Sequence, residues 1–313
     1  VILICSLACQ PALVAEDPDD AHAPSSWDYE EPGSSNEATE PPSLAEITSV
    51  IDTSIGYARQ VTGDPIVQIY SDSLAGADDS CPGWYEFEGN TYWFGACTSE
   101  LGTTYDGYGL YYDYVDEDLY GDGGVWNVDY LYGVANITTA TTAFHLGGYV
   151  YYGSGVYQDY TQWQSILAGS FAWDGGATDS WMDDSAAPNL ATYYVKYPSY
   201  DLSYTVVSGS IGGLEGGITA LDFDDLTLVR HETLTGSGSY WPCAGEPMGR
   251  IHLRTSERWI EVAFEDIVYD EASQAYDLVG TCDGCGQAWD GGDYLGEVCV
   301  DAAQLLDWQE QPW

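Results

Sequence analysis

Apolar residues recur along this chain at two different periods, and the switch between them divides it. Leu44, Ile47, Ile51, Ile55 and Ala58 fall at helical spacing behind Ser43-Leu-Ala-Glu46. In that capping box the Ser side chain accepts from a free helix amide and the Glu reaches back. The pattern predicts one amphipathic helix over 44–60, docking on or covering the edge of a sheet. After about residue 64 the period becomes 2. Trp126, Val128, Tyr130 and Tyr132 share one face, with Asn127 and Asp129 on the other. Tyr108, Leu110, Tyr112 and Tyr114 repeat the alternation, as do Phe144, Leu146, Val150 and Tyr152. Later runs are Tyr193, Val195 and Tyr197, then Ile260, Val262 and Phe264. Alternation enriched in Tyr, Trp, Val and Thr marks half-buried antiparallel strands. Gly121-Asp-Gly-Gly124, Tyr152-Gly-Ser-Gly155 and Asp174-Gly-Gly176 read as the turns between them. No βαβ rhythm is present. The predicted class is all-β: an antiparallel sandwich or a large curled meander sheet, with one N-terminal helix and disulfides.

Ahead of the helix the character changes twice. Residues 10–42 are rich in Pro, Ser, Asp and Glu (Glu16-Asp-Pro-Asp-Asp20, Glu30-Glu-Pro-Gly) and offer little to bury, which predicts an extended acidic tether. Residues 1–9 form an apolar run ending Ser6-Leu7-Ala8-Cys9, which resembles a bacterial lipobox. The resemblance implies a lipoprotein signal, with Cys9 as the lipidated residue. Gln10 rather than Asp after it implies passage to the outer membrane of a Gram-negative cell. The expected organisation is signal 1–9, tether 10–42 and a single β domain 43–313, anchored to a membrane rather than spanning it. The Tyr-, Gly- and Asp-rich alternation also resembles an outer-membrane barrel. The lipobox, the cysteines and an unpatterned last segment, Asp307–Trp313, argue against that.

Charge narrows the partners. Six Lys+Arg against 51 Asp+Glu give a net charge of −45 over 313 residues. Such a surface repels phosphate backbones and anionic head groups, so nucleic acid is excluded as a partner. With 45% hydrophobic residues the chain has ample material for a core.

Six cysteines remain once Cys5 and Cys9 are assigned to the signal: Cys81, Cys97, Cys243, Cys282, Cys285 and Cys299. An even set in an exported chain reads as disulfides. Cys81 and Cys97 flank a hairpin-like run and are expected to pair, a closure worth about 3 kcal/mol. Cys285–Cys299 and Cys243–Cys282 are the expected pairs in the C-terminal cluster. Zinc would need a second CxxC beside Cys282-Asp-Gly-Cys285, and a thioredoxin-like dithiol would need a βαβ setting. Cys243-Ala-Gly-Glu-Pro-Met-Gly249, Arg254, Trp259, Cys282-Asp-Gly-Cys-Gly286 and Gly296-Glu-Val-Cys-Val-Asp301 together resemble the ends of secreted lipoproteins from myxobacteria and their relatives. That likeness implies an address and a fold, and no activity.

No GxSxG elbow, HExxH, Walker loop or strand-linked GxGxxG occurs. Three weaker features remain. Asp113, Asp116, Asp118 and Asp122 crowd a glycine-rich stretch, and Asp222, Asp224 and Asp225 form a second cluster. Calcium is the one cofactor such loops would suit; solvated acidic turns have the same composition. Arg230, Arg250, Arg254 and Arg258 take four of the six cations, with Arg250, His252 and Arg254 on one strand face. Arg250 and Arg254 are therefore candidates for an anionic ligand, or for cross-strand pairing with Glu257, Glu261 or Glu265. Trp126, Trp163, Trp173 and Trp181 are candidates for a sugar-stacking platform, or for ordinary core packing. Together these features predict a surface-anchored, non-enzymatic protein for binding or envelope structure, its partner a carbohydrate or another surface protein. A secreted polysaccharide hydrolase and a ligand-carrier lipoprotein are the alternatives.

Overall fold

In the computed structural model, which describes residues 40–60, 65–87, 90–116, 125–141, 143–157, 159–173, 189–200, 202–212, 214, 217–231, 246–264, 267–270, 275–278 and 283–306, a helix comes first. Helix α1 runs Leu44–Gln60, with Ile47, Ile51, Ile55 and Ala58 fully buried. Ser43 Oγ accepts from the Glu46 amide at 3.2 Å, one half of the expected capping box. Glu46 does not complete it. Its carboxylate reaches the Gly217 amide, 3.4 Å away and just ahead of the strand that begins at Ile218, and ties the helix start to the sheet.

The strand period expected from residue 64 begins later than the sequence pattern indicates, because a second helix, α2 (Pro65–Leu74), intervenes. Proline suits the first helical position, where its missing N–H is not needed. Val67, Tyr70 and Ser73 then turn inward at three-residue steps.

The rest is sheet. The strands are β1 (Gly83–Phe87), β2 (Asn90–Thr98), β3 (Thr104–Asp116), β4 (Val125–Thr138), β5 (Ala143–Val156), β6 (Thr161–Trp173), β7 (Asn189–Tyr197), β8 (Leu202–Gly212), β9 (Ile218–His231), β10 (Pro247–Thr255), β11 (Trp259–Phe264), β12 (Ile267–Asp270), β13 (Ala275–Leu278), β14 (Cys285–Asp290) and β15 (Asp293–Cys299). Thirteen of them form one antiparallel sheet in chain order, β1 through β11 and then β14–β15. β12 and β13 pair with each other as a separate hairpin. Of the two all-β architectures expected, this is the meander.

One face of the sheet, called inner below, is covered by apolar elements. α1 lies against β9 and β15, α2 against β4 and β5, and the 3-10 turn Ala302–Leu306 against β8 and β9. Leu131, Ile137, Leu146, Leu167, Leu190, Leu221, Leu228, Ile251, Leu253, Ile260 and Val262 meet them there in one core. Thr205 Oγ1 donates to the Leu305 carbonyl at 2.9 Å and fixes the 3-10 turn on the sheet. Near α2, Trp93 Nε1 donates to Tyr70 Oη at 2.8 Å, and Tyr105 Oη donates to the Ser73 carbonyl at 3.1 Å.

Two disulfides join described residues, Cys81–Cys97 and Cys285–Cys299, both as expected. Cys243 and Cys282 lie outside the described residues. The tail motif gains a structural meaning from Glu246, which is buried. Its carboxylate accepts from the Gly284 amide at 2.9 and 3.1 Å, joining the first segment of the motif to Cys282-Asp-Gly-Cys-Gly286.

Two expected turns are not turns. Gly153 and Gly155 sit inside β5, opposite Val128 and Trp126 of β4. The Trp126 ring lies flat on them, so a Cβ at either position would fall 2.4 Å from a ring carbon. Asp222, Asp224 and Asp225 are likewise inside β9, at a bulge where Asp225 takes a φ of 50°.

Candidate functional site

The outer face of β1–β5 is tiled with tyrosine. Because alternate residues point to opposite sides of a strand, register decides which rings are neighbours. Phe94, Tyr108 and Val134 form one cross-strand row; Tyr85, Tyr92, Leu110, Tyr132 and Tyr149 form the next; Tyr112, Tyr130 and Tyr151 form the third. Ring centroids are 5.0 Å apart for Tyr112–Tyr130, 5.8 Å for Tyr130–Tyr149, 6.1 Å for Tyr108–Tyr132 and 6.2 Å for Tyr85–Tyr92. Tyr112 and Tyr114 stack along one strand at 6.1 Å. Tyr85 is 55% exposed, Tyr114 45% and Tyr132 42%, whereas Leu110 and Val128 beneath the rings are buried. Burial among neighbouring rings pushes the Tyr112 and Tyr130 hydroxyls above the ordinary phenol range. The tier offers aromatic faces and edges with hydroxyl groups that can donate and accept.

The expected tryptophan platform does not assemble. Trp126 and Trp163 are both buried, and register sets them on opposite faces, since Trp126 opposes Gly155 and Trp163 opposes Ser154. Trp126 Nε1 donates to Tyr151 Oη at 2.9 Å and supports the tyrosine tier from within. Trp163 packs with Tyr152 and Tyr194 on the inner face. The Trp173 backbone ends β6, and Trp181 lies outside the described residues. Reading the tryptophans alone missed the tier. Its signal was the recurrence of Tyr at alternate positions in successive strand segments.

The acidic positions are scattered differently from the expectation. Asp113 is exposed and opposes Asp129, whose carboxylate accepts from Tyr111 Oη at 2.6 Å. Asp116 ends β3 opposite Trp126, while Asp118 and Asp122 lie outside the described residues. Among the described residues, no group of three His, Cys, Asp or Glu stands close enough to hold a metal ion.

The arginine strand is an ion-pair lattice on the outer face of β9–β11. Arg254 Nη2 donates to Asp222 Oδ1 at 2.9 Å, and its guanidinium lies 5.3 Å over the Trp259 ring. Ser210 Oγ donates to the same Asp222 oxygen, and Ser208 Oγ to Asp225 at 2.5 Å. His252 Nε2 lies 3.2 Å from Glu261. That contact, aided by the nearby Arg250, holds the Glu261 carboxyl below its usual range. Arg258 pairs with Asp290. Arg254 thus engages Asp222 across the β9–β10 ladder rather than any of the glutamates expected from sequence. Cys9 lies outside the described residues.

No family model matches this chain, and neither a curated protein nor a solved structure matches it.

Proposed function

We infer that this chain is a non-enzymatic binding protein of the cell envelope, held at the outer membrane through a lipid on Cys9, that docks an uncharged polysaccharide on its tyrosine-tiled face. The observation carrying this reading is the continuity of the tier from Tyr85 to Tyr149 over five strands. Rings spaced by the strand repeat of about 4.8 Å offer successive stacking surfaces to a linear chain of sugars. Their hydroxyls can exchange hydrogen bonds with sugar hydroxyls. A net charge of −45 disfavours an anionic polymer and leaves a neutral one unopposed. The two disulfides suit an exported address.

Affinity electrophoresis in gels containing hydroxyethylcellulose, laminarin or mannan tests it. Migration of the native chain is expected to be retarded by at least one of these polymers. Tyr114→Ser combined with Tyr132→Ser, both well-exposed positions, is expected to weaken that retardation at least tenfold while leaving the melting transition in place. Absence of retardation by all three polymers, or retardation unchanged in the double variant, overturns the reading.

A further inference from the structure

Negative charge is laid unevenly across the sheet. Asp and Glu supply 51 of the 313 residues, and β3 and β9 carry three Asp each. The strands β5, β6, β7 and β8 contain no Asp or Glu at all. β4 has Asp129 alone, which alternates with Leu131 and the other core positions onto the inner side. On the outer face a window without strand carboxylates therefore spans β4–β8. Asp116 at the end of β3 bounds it on one side, and Asp222, Asp224 and Asp225 of β9 bound it on the other.

Register carries the rows of the tyrosine tier into this window. The row through Tyr114 and Val128 continues over Gly153, Gln164 and Tyr193. The next, through Trp126, continues over Gly155, Gln162 and Val195. Gln162, Gln164 and Tyr193 are half-buried, so solvent reaches them, and both helices and the C-terminal 3-10 turn pack on the other side of the sheet. Tyr193 Oη donates to Gln162 Oε1 at 2.9 Å, which fixes that amide and leaves its NH2 group to donate. The Gln164 side chain, two residues along the same face, makes no hydrogen bond among the described residues. Two primary amides thus stand about 7 Å apart on an open, carboxylate-free surface.

We propose that the neutral polysaccharide docked on the tyrosine tier runs on across the outer face of β6, where Gln162 and Gln164 form a hydrogen-bonding subsite for it. The proposal rests on the polysaccharide reading of the tier and lengthens the path of the polymer. Each amide presents donors and an acceptor side by side, the complement of neighbouring sugar hydroxyls. A carboxylate on this face would lose hydration beneath an uncharged chain and gain no counter-charge, and none is present. Charge also decides between occupants. A second copy of this chain would bring another −45 against the first, and an acidic polymer is repelled in the same way. A neutral, hydroxyl-rich chain meets neither obstacle.

Affinity electrophoresis of the full chain in gels containing hydroxyethylcellulose, laminarin or mannan separates this subsite from the tier. Gln164→Ala is expected to weaken retardation several-fold, and Gln164→Glu, which removes the NH2 group and places a carboxylate in the window, at least tenfold. Neither change breaks a hydrogen bond to a described residue, so the melting transition is expected to stay in place. Gln287→Ala, an amide on β14 outside the window, is expected to leave retardation unchanged. Retardation unchanged in both Gln164 variants but weakened by Tyr114→Ser with Tyr132→Ser overturns this inference and leaves the tier standing. Retardation weakened by the Gln164 variants but unchanged in the tyrosine variant overturns the tier and assigns the polymer to β6. Retardation by none of the three polymers overturns both.

Discussion

Trp93 and Tyr70 can exchange their hydrogen bond only because position 109 has no side chain. A Cβ there would stand 2.5 Å from Trp93 Nε1 and 2.7 Å from Tyr70 Oη, and both rings are 1% exposed with no room to retreat. Gly109→Ala is therefore expected to cost about 1–3 kcal/mol, in the range of overpacked cores. Urea denaturation would record it as a lower midpoint with an unchanged slope; a midpoint equal to that of the native chain would refute it. Trp126 over Gly153 and Gly155 follows the same logic on the outer face. These glycines mark places where a large ring occupies the volume of its neighbour, which is why reading Gly153 and Gly155 as a turn failed. Glycine next to serine has the composition of a turn, and only the cross-strand partner reveals that the space of the missing Cβ is filled by a ring from the neighbouring strand.

At the scale of elements, the C-terminal hairpin β14–β15 is held from three sides. Cys285–Cys299 closes its open end, the Val300 amide donates to the Gly284 carbonyl at 3.0 Å, and the Glu246 carboxylate takes the Gly284 amide. Removing that carboxylate leaves a half-buried amide without its acceptor, at a cost of about 1–3 kcal/mol. Glu246→Ala is expected to speed amide hydrogen exchange in β14–β15 while leaving β4–β5 protected, with Glu246→Gln milder. Uniform acceleration in both hairpins would contradict this. The elements themselves were unequally legible. Helix α1 could be read because five apolar positions, Leu44 to Ala58, repeat over about four turns. Helix α2 could not, since ten residues carrying Ile66, Val67 and Ile69 look as much like strand as helix until Tyr70 is seen to meet Trp93. The strands of β3 and β4 were legible, but not which of their faces holds the core. The tyrosine side looked the more apolar. The side that is buried instead bears the small set Leu131, Ala135 and Ile137, because α2 comes to cover it.

The molecule as a whole carries 27 tyrosines in several environments, and alkaline pH distinguishes them. Burial pushes Tyr105 and Tyr204 up to about 12, helped by the charge of Asp78 beside the first and by Tyr197 beside the second. Burial raises Tyr70 and Tyr193 as well. For a phenol whose folded value lies above its unfolded value of about 10, the stabilisation is complete below about pH 10 and is lost as pH rises through the folded value. Absorbance at 295 nm is expected to show a first group of tyrosines ionising near pH 10 to 11. A second group should ionise only together with loss of the far-ultraviolet circular dichroism signal, towards pH 12. One wave of ionisation near pH 10 with the fold intact would contradict the burial described for these rings.

Apart from the step from β11 to β14, every strand of the sheet bonds only to the strands before and after it in the chain. The sheet is thus a linear array, in which pairings are local and a hairpin can form before its distant neighbours exist. Width in such an array is adjustable: a hairpin gained or lost moves an edge by two strands and leaves the remaining registers as they were. β12–β13 already stands outside the ladder, between strands that pair without it. The tyrosine tier inherits this modularity, for a surface whose cross-strand rows gain one member with each strand lengthens by the same unit as the sheet that bears it.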